Sequence, residues 1–293
     1  MEAFDYLRPS SLDEACRILS RSEGRSKVLA GGTDLLVRIR QGLILPEAVI
    51  SLADIKELSH ISFEPDRGVT IGAMTTLDAV ESSKEIKENF RSVTEAAGEI
   101  GSPQVRSRAT IGGNLCNASP SADMAPSLIS YGATALIGDG KQDRTIPLED
   151  FFTGPGQKVL KNGELMKEIH IPLSPQPNFG TYEKASRSSM DPAIVSIGML
   201  AVFESHGESC RDLKLVLGAV AKTPFRAIEA EDMAKGHRLN DALIDKVSQM
   251  ASDEARPISD VRSTADYRRH LIKVMVGKIL VAARSWVRKG DLR

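Results

Sequence analysis

The chain has 293 residues, of which 41% are hydrophobic and 26% charged, with a formal net charge of −1. Those figures describe a globular protein of about two domains. They give no electrostatic reason for a nucleic-acid partner, and no apolar run approaches the roughly 20 residues that span a bilayer.

Three cysteines, Cys16, Cys116 and Cys210, lie about a hundred residues apart. An odd, scattered set predicts reduced thiols, and it is too small for a self-contained Cys₄ iron–sulfur cluster. The histidines (His60, His170, His206, His237, His270) lack metal-ligand spacing, so no resident metal is expected. The start, Met1-Glu2-Ala3-Phe4-Asp5-Tyr6, is acidic and carries no secretory apolar core, which predicts a cytoplasmic protein.

In chain order, Ser10 or Ser11 is placed to cap a helix whose apolar face is Leu12, Ala15, Cys16 and Leu19. Residues 27–30 read as a short buried strand that runs into Leu29-Ala30-Gly31-Gly32-Thr33-Asp34-Leu35-Leu36, and a helical period resumes at Leu35, Leu36 and Ile39. Strands are predicted at 49–52 and 69–73. One amphipathic helix is predicted through Ile86, Phe90, Val93, Ala97 and Ile100, stopping at Gly101 before Pro103.

A second glycine pair follows in Ala109-Thr110-Ile111-Gly112-Gly113-Asn114, and then a small, polar run from Asn117 to Asp123. Strands resume at 133–137, 145–148 and 164–171. The Pro-rich stretch 172–177 reads as a linker. Beyond it, strands at 193–203 and around 213–217 precede helices at 225–235, 240–253 and 266–287, which predicts a small sheet backed by helices.

Glycine pairs allow positive φ and close approach of backbone to a ligand, and successive free amides form a partly positive concave nest for anions. A lone Gly-Gly is more often a turn between strand and helix. Two such segments, each ending in small polar side chains, suit a ligand with two linked phosphates. The G-x-G-x-x-G of a Rossmann site is absent, and Gly277-Lys278 is not a phosphate-binding P-loop.

At these residues the chain resembles the FAD-binding medium subunit of the molybdenum hydroxylases, the family of bacterial xanthine dehydrogenase and carbon monoxide dehydrogenase. Both glycine segments, the 117–123 loop, Ala221-Lys222-Thr223-Pro224-Phe225-Arg226-Ala227 and Asp266-Tyr267-Arg268-Arg269-His270-Leu271 carry the resemblance, which spans nearly the full length. It implies an α+β protein: a p-cresol methylhydroxylase-type FAD-binding domain of two subdomains over residues 1–175, then a small α+β C-terminal domain over 178–293. The scattered cysteines set it apart from the branch that inserts an extra [4Fe-4S] cluster.

The resemblance also implies FAD as cofactor, a molybdopterin-binding large subunit and a [2Fe-2S] small subunit as partners, and a small-molecule electron acceptor such as NAD+. The implied cofactor contacts are Leu29, Ala30, Gly31, Gly32, Thr33, Asp34, Leu35 and Leu36, then Thr110, Ile111, Gly112, Gly113 and Asn114. Gly101 and Asp123 match family positions near FAD, although Gly101 also reads as a helix stop and Asp123 as an N-cap. Leu165 or Met166 falls where the family packs backbone on the flavin, and either fits a core position equally well. Tyr182 is assigned near the ring and Lys184 as a donor to its pyrimidine edge, with Glu183 competing for the lysine position. No side-chain nucleophile is expected, because the flavin supplies the redox chemistry. Two alternatives remain at this point, a stand-alone FAD-dependent oxidoreductase and a flavin-free assembly subunit.

Overall fold

The computed structural model describes residues 3–205 and 209–289. Met1, Glu2 and His206 therefore lie outside the described residues.

The first layer is a parallel sheet of three short strands in the order β1 (Asp5–Leu7), β3 (Ala48–Ser51), β2 (Ser26–Leu29), with helices α1 (Leu12–Arg21) and α2 (Leu35–Arg40) between them in the chain. Ser11 caps α1 by accepting from the Glu14 amide, and Leu12, Ala15 and Cys16 go inward, as the spacing predicts. β3 is buried at every position. Its flat apolar run is the middle strand of that sheet, with a neighbour on each side.

A second body follows. Strands β4 (Ile61–Glu64) and β5 (Gly68–Gly72) form a hairpin, and the chain then runs through α3 (Leu77–Ser82), α4 (Lys84–Asn89), α5 (Arg91–Gly98), α6 (Pro103–Arg106), α7 (Ile111–Asn117) and α8 (Met124–Ser130). It returns through β6 (Thr134–Gly138), β7 (Asp143–Pro147), the small hairpin β8 (Phe152–Gly154) and β9 (Gln157–Lys158), and β10 (Leu165–Pro172). The antiparallel sheet order is β4-β5-β10-β6-β7.

Two expectations are corrected in this body. The single helix through residues 86–100 is broken at Phe90, whose backbone (φ −138°, ψ 53°) ends α4 and starts α5. Its ring is fully buried and meets Tyr131 edge-on at 5.4 Å. Tertiary packing of one aromatic thus overrides the helical period, while Ile86 and Val93 on either side stay in the core. The second correction concerns the second glycine pair, which is the opening of α7 and has no positive φ at Gly112 or Gly113.

After a cis Gln176–Pro177 peptide, β11 (Asn178–Ala185), β12 (Val195–Phe203), β13 (Ser209–Gly218) and β14 (Phe225–Arg226) form a third sheet in that order. It is backed by α9 (Ile228–Ala234), α10 (Asp241–Glu254) and α11 (Ala265–Arg288), and β15 (His237–Arg238) pairs with β13. Strand β11 carries no element in the sequence reading, and the helix predicted from Phe225 begins only at Ile228, since Phe225 and Arg226 pair with β13.

Strand β12 explains how the third sheet joins the rest. All nine of its residues are buried. Ile197, Met199, Ala201 and Phe203 enter the core shared with the C-terminal helices, whereas Leu200 and Val202 enter the core of the second body. Period-two alternation therefore sends one face to each side. On the second-body face, a Cβ at Gly198 would overlap the Pro126 carbonyl and lie 2.6 Å from the Ser127 amide nitrogen. Gly198→Ala is accordingly expected to cost about 2–3 kcal/mol by overpacking, read as a lower urea midpoint of the whole chain.

Candidate functional site

The two glycine segments meet. A Cβ on Gly31 would overlap the Arg108 carbonyl oxygen and lie 2.6 Å from its carbon and 2.9 Å from the Ala109 Cα. One step further, the Ala30 methyl is 3.6 Å from the Cβ position of Gly113. So β2 delivers its glycine loop directly onto the chain entering α7, and the missing side chain at Gly31 is what permits backbone-to-backbone contact.

The segments are not equivalent. In the first, Gly32 has φ +79°, and the amides of residues 31–35 donate to no acceptor among the described residues. That is a run of free N–H groups such as an anion nest requires. In the second, the amides of residues 111–114 are already used: Ile111 donates to Thr75 O (3.0 Å), Gly112 to Ala73 O (2.9 Å), and Asn114 to Thr110 O (2.9 Å). The Gly113 amide donates to Thr110 Oγ1 at 3.1 Å. The expectation of two nests is therefore corrected to one. Gly112 is glycine because a Cβ would meet the Ala73 Cβ at 2.6 Å, a packing reason and not a conformational one.

What the second segment offers is a side chain. The Asn114 Oδ1 is buried and has no hydrogen-bond partner. A buried amide oxygen left unpaired costs roughly 1–3 kcal/mol, so this atom is an acceptor open to a bound group.

Asp123 closes the polar loop at the N-cap position of α8, but its side chain makes no capping bond to the helix. Its Oδ1 accepts from the Tyr182 hydroxyl at 2.6 Å and its Oδ2 from Lys184 Nζ at 3.3 Å. The Lys184 ammonium also donates to the Glu99 carbonyl at 2.8 Å, and its side chain is only 2% exposed. Burial pushes the Asp123 carboxyl above its ordinary range, against the opposing pull of Lys184 and of the Tyr182 hydrogen bond. Burial, and next the Asp123 charge, hold the Tyr182 phenol well above its ordinary value, so it stays a donor.

Strand register sends Glu183 and Lys184 to opposite faces. Alternation along β11 puts Tyr182 and Lys184 on the face toward Asp123, while Glu183 points the other way and pairs with Lys278 of α11 at 2.9 Å. No strand is predicted here from the sequence, so that alternation was invisible.

The remaining candidates are placed as follows. Gly101 has φ +54° between α5 and α6, two residues past the Glu99 carbonyl that holds Lys184. Thr33 is half-buried and Asp34 and Leu36 are exposed, with Leu35 half-buried beside them at the start of α2. Leu165 and Met166 begin β10, both buried: Leu165 packs with the first layer (Leu12, Ile50) and Met166 with the second body. No hydrogen bond ties either to the glycine segments. Residues that sequence reasoning missed are Arg108, whose carbonyl backs Gly31, and Glu99 and Glu95, which accept from Lys184 Nζ and the Tyr182 amide.

A cofactor with a diphosphate and a hydrogen-bonding heterocycle fits this equipment on its own terms: free amides for the anion, an orphan acceptor, and a buried ammonium–carboxylate pair. Such a site suits a dinucleotide, and comparison with known proteins narrows the class. Residues 2–174 match the family model described as FAD binding domain in molybdopterin dehydrogenase, and residues 180–283 match the CO dehydrogenase flavoprotein C-terminal domain.

The chain belongs to this family: it is an FAD-binding medium subunit of the molybdenum hydroxylase type, part of an oxidoreductase. It is 32% identical to the glyceraldehyde dehydrogenase medium chain of Sulfolobus acidocaldarius, over 94% of this chain and 96% of the relative. It is 30% identical to the xanthine dehydrogenase FAD-binding subunit of Escherichia coli O157:H7, over 95% of each. Its fold is similar to a chain of the Hydrogenophaga pseudoflava carbon monoxide dehydrogenase that lacks the Mo-pyranopterin moiety of its cofactor, with TM-score 0.93, 31% identity and 98% of both chains covered. The α+β architecture expected from the sequence is the one observed. Among the described residues no helix is long and apolar enough to cross a membrane.

Proposed function

We propose that the chain is the electron-transferring subunit of a cytoplasmic three-part enzyme, with FAD held by residues 29–36, 110–114, Gly101, Asp123, Tyr182 and Lys184, and with Leu165 and Met166 backing it. The two domains divide at residues 175–178. Its partners are a molybdopterin-binding large subunit and a [2Fe-2S] small subunit. Bound FAD supplies the chemistry of accepting electrons from the small subunit's clusters and delivering them to NAD+ or another small acceptor.

The observation that carries this reading is the run of free amides at residues 31–35 pressed against a segment whose Asn114 oxygen is buried and unpaired. The chain's own residues then have separate tasks. Amides of the first loop take the diphosphate charge. Tyr182 and Glu99 hold Asp123 and Lys184 at fixed positions, so a positive group is preorganised where negative charge develops on reduction.

Asn114→Ala separates ligand from structure. Because Oδ1 makes no internal bond, truncation is expected to leave the unfolding midpoint of the apo chain nearly unchanged while weakening FAD about tenfold, by fluorescence titration. The wider reading is tested by purifying the chain with its neighbouring subunits, assaying molybdenum, iron and flavin, and mixing the complex with NADH without oxygen. Stoichiometric flavin with both metals supports it. A chain that purifies alone, or a complex without iron, overturns the partner assignment.

A further inference from the structure

The loop that carries Asp123 is gripped from the C-terminal domain, and nothing in the glycine motifs requires that. Arg262, in the segment between α10 and α11, donates through Nη1 to Ser121 Oγ at 3.2 Å, across 141 positions of sequence. Its other nitrogens, Nε and Nη2, bond Asp260 Oδ2 at 3.0 and 2.8 Å. Asp260 in turn receives Arg268 Nη2 on Oδ1 at 2.7 Å.

Arg268 is the largest fully buried side chain, 1% exposed. Its Nη1 bonds the Ile194 carbonyl at 2.6 Å and the Ala219 carbonyl at 3.0 Å. A second, independent tie runs through the same place. Ala219 is a non-glycine residue at φ +64°, a strained conformation, and its amide donates to the Pro120 carbonyl at 2.7 Å. Left-handed alanine persists only where its surroundings over-determine it. Here the buried guanidinium holds its carbonyl and the 117–123 loop takes its amide.

We propose that Arg262 is a positioning residue for FAD: braced by Asp260 and Arg268, it clamps Ser121 and so sets the loop that presents Asp123 to Lys184. The C-terminal domain thereby governs cofactor affinity without touching the diphosphate loop. This rests on the FAD reading of the site, and it predicts that the part of the coupling carried by Arg262 passes through its one hydrogen bond to Ser121, which can be cut at either end.

The test uses the 293-residue chain, as wild type, Arg262→Ala, Ser121→Ala and the double variant. Arg262 is 30% exposed, so its truncation leaves the cores filled, and Ser121→Ala removes the acceptor with no change in charge. Hydrogen exchange on apo protein reads the clamp directly: both single variants are expected to raise exchange about tenfold at the amides of residues 118, 119 and 121–123, with no change elsewhere except, for Arg262→Ala, in the 259–263 turn that Arg262 shares with Asp260. FAD titration reads its consequence: each single variant weakens binding about tenfold, and the double variant weakens it no further.

Unchanged exchange at 118–123 overturns the clamp. Raised exchange with wild-type FAD affinity, or a double variant weakened about a hundredfold as for independent sites, overturns its role in positioning FAD. A wild-type chain that takes up no FAD overturns the site reading itself and this proposal with it, and that outcome is distinct from either of the others.

Discussion

Gly31→Ala is expected to weaken FAD binding by about 100-fold. The reason is what the methyl meets. Its neighbours are the Arg108 carbonyl and the Ala109 Cα, all backbone, and none can rotate away. The loop of free amides must therefore back off from the α7 segment, which costs about 2–3 kcal/mol and separates the two halves of the site. Gly156→Ala is the control. Gly156 needs a left-handed backbone, at φ +71°, which Gly31 does not, and it has open space around its Cβ position. It is expected to lower stability by about 1 kcal/mol and leave FAD affinity alone. Isothermal titration with FAD, alongside urea unfolding of the apo forms, separates the two effects.

Lys184→Met is expected to destabilise the apo chain by about 3 kcal/mol at neutral pH, because it strands Asp123 in a buried site without its cation. The pH dependence follows from linkage. A carboxyl whose pKa is raised on folding binds more protons folded than unfolded, so stability falls as pH rises through its folded pKa. Burial already raises Asp123, and Lys184 is the strongest influence opposing that rise. Removing Lys184 raises it further. The deficit of the variant is thus widest near neutrality and narrows on acidification toward the ordinary aspartate value of 3.8. Adding Asp123→Asn removes the stranded charge and recovers part of the loss, which gives a double-mutant cycle measured by urea midpoints between pH 4 and 8. In the FAD-loaded chain, loss of the ammonium is expected to lower the two-electron flavin potential by roughly 30 mV, the equivalent of about 1.4 kcal/mol.

Much of the framework was legible because local rules wrote it. Ser11 capping α1, the apolar run that became β3, the even-odd alternation of β13 and the long C-terminal helix each depend on neighbours within a turn or two. The glycine segments were legible as special backbone, and their residues do lie together. What the pattern could not distinguish was why each glycine was needed. Gly32 uses its left-handed freedom, Gly31 its lack of volume, and Gly112 sits in a helix packed on Ala73.

The other misses were contacts between residues far apart in the chain. Phe90 breaks a helix because its ring packs edge-on against Tyr131, and no window around residue 90 contains that fact. Asp123 looks like an N-cap until β11 brings Tyr182 and Lys184 to it across about sixty positions. Reading β11 as a strand would have separated Lys184 from Glu183 at once, since adjacent residues must face opposite ways. The strand was hidden by its composition: Gly180, Thr181, Glu183 and Lys184 make a weak apolar alternation.

The most direct test of the site is a crystal structure of the FAD-loaded chain. The diphosphate should lie within hydrogen-bonding reach of the amides of residues 31–35, with a cofactor atom donating to Asn114 Oδ1. A cofactor bound elsewhere, with those amides turned to solvent and the asparagine oxygen still unpaired, would contradict it.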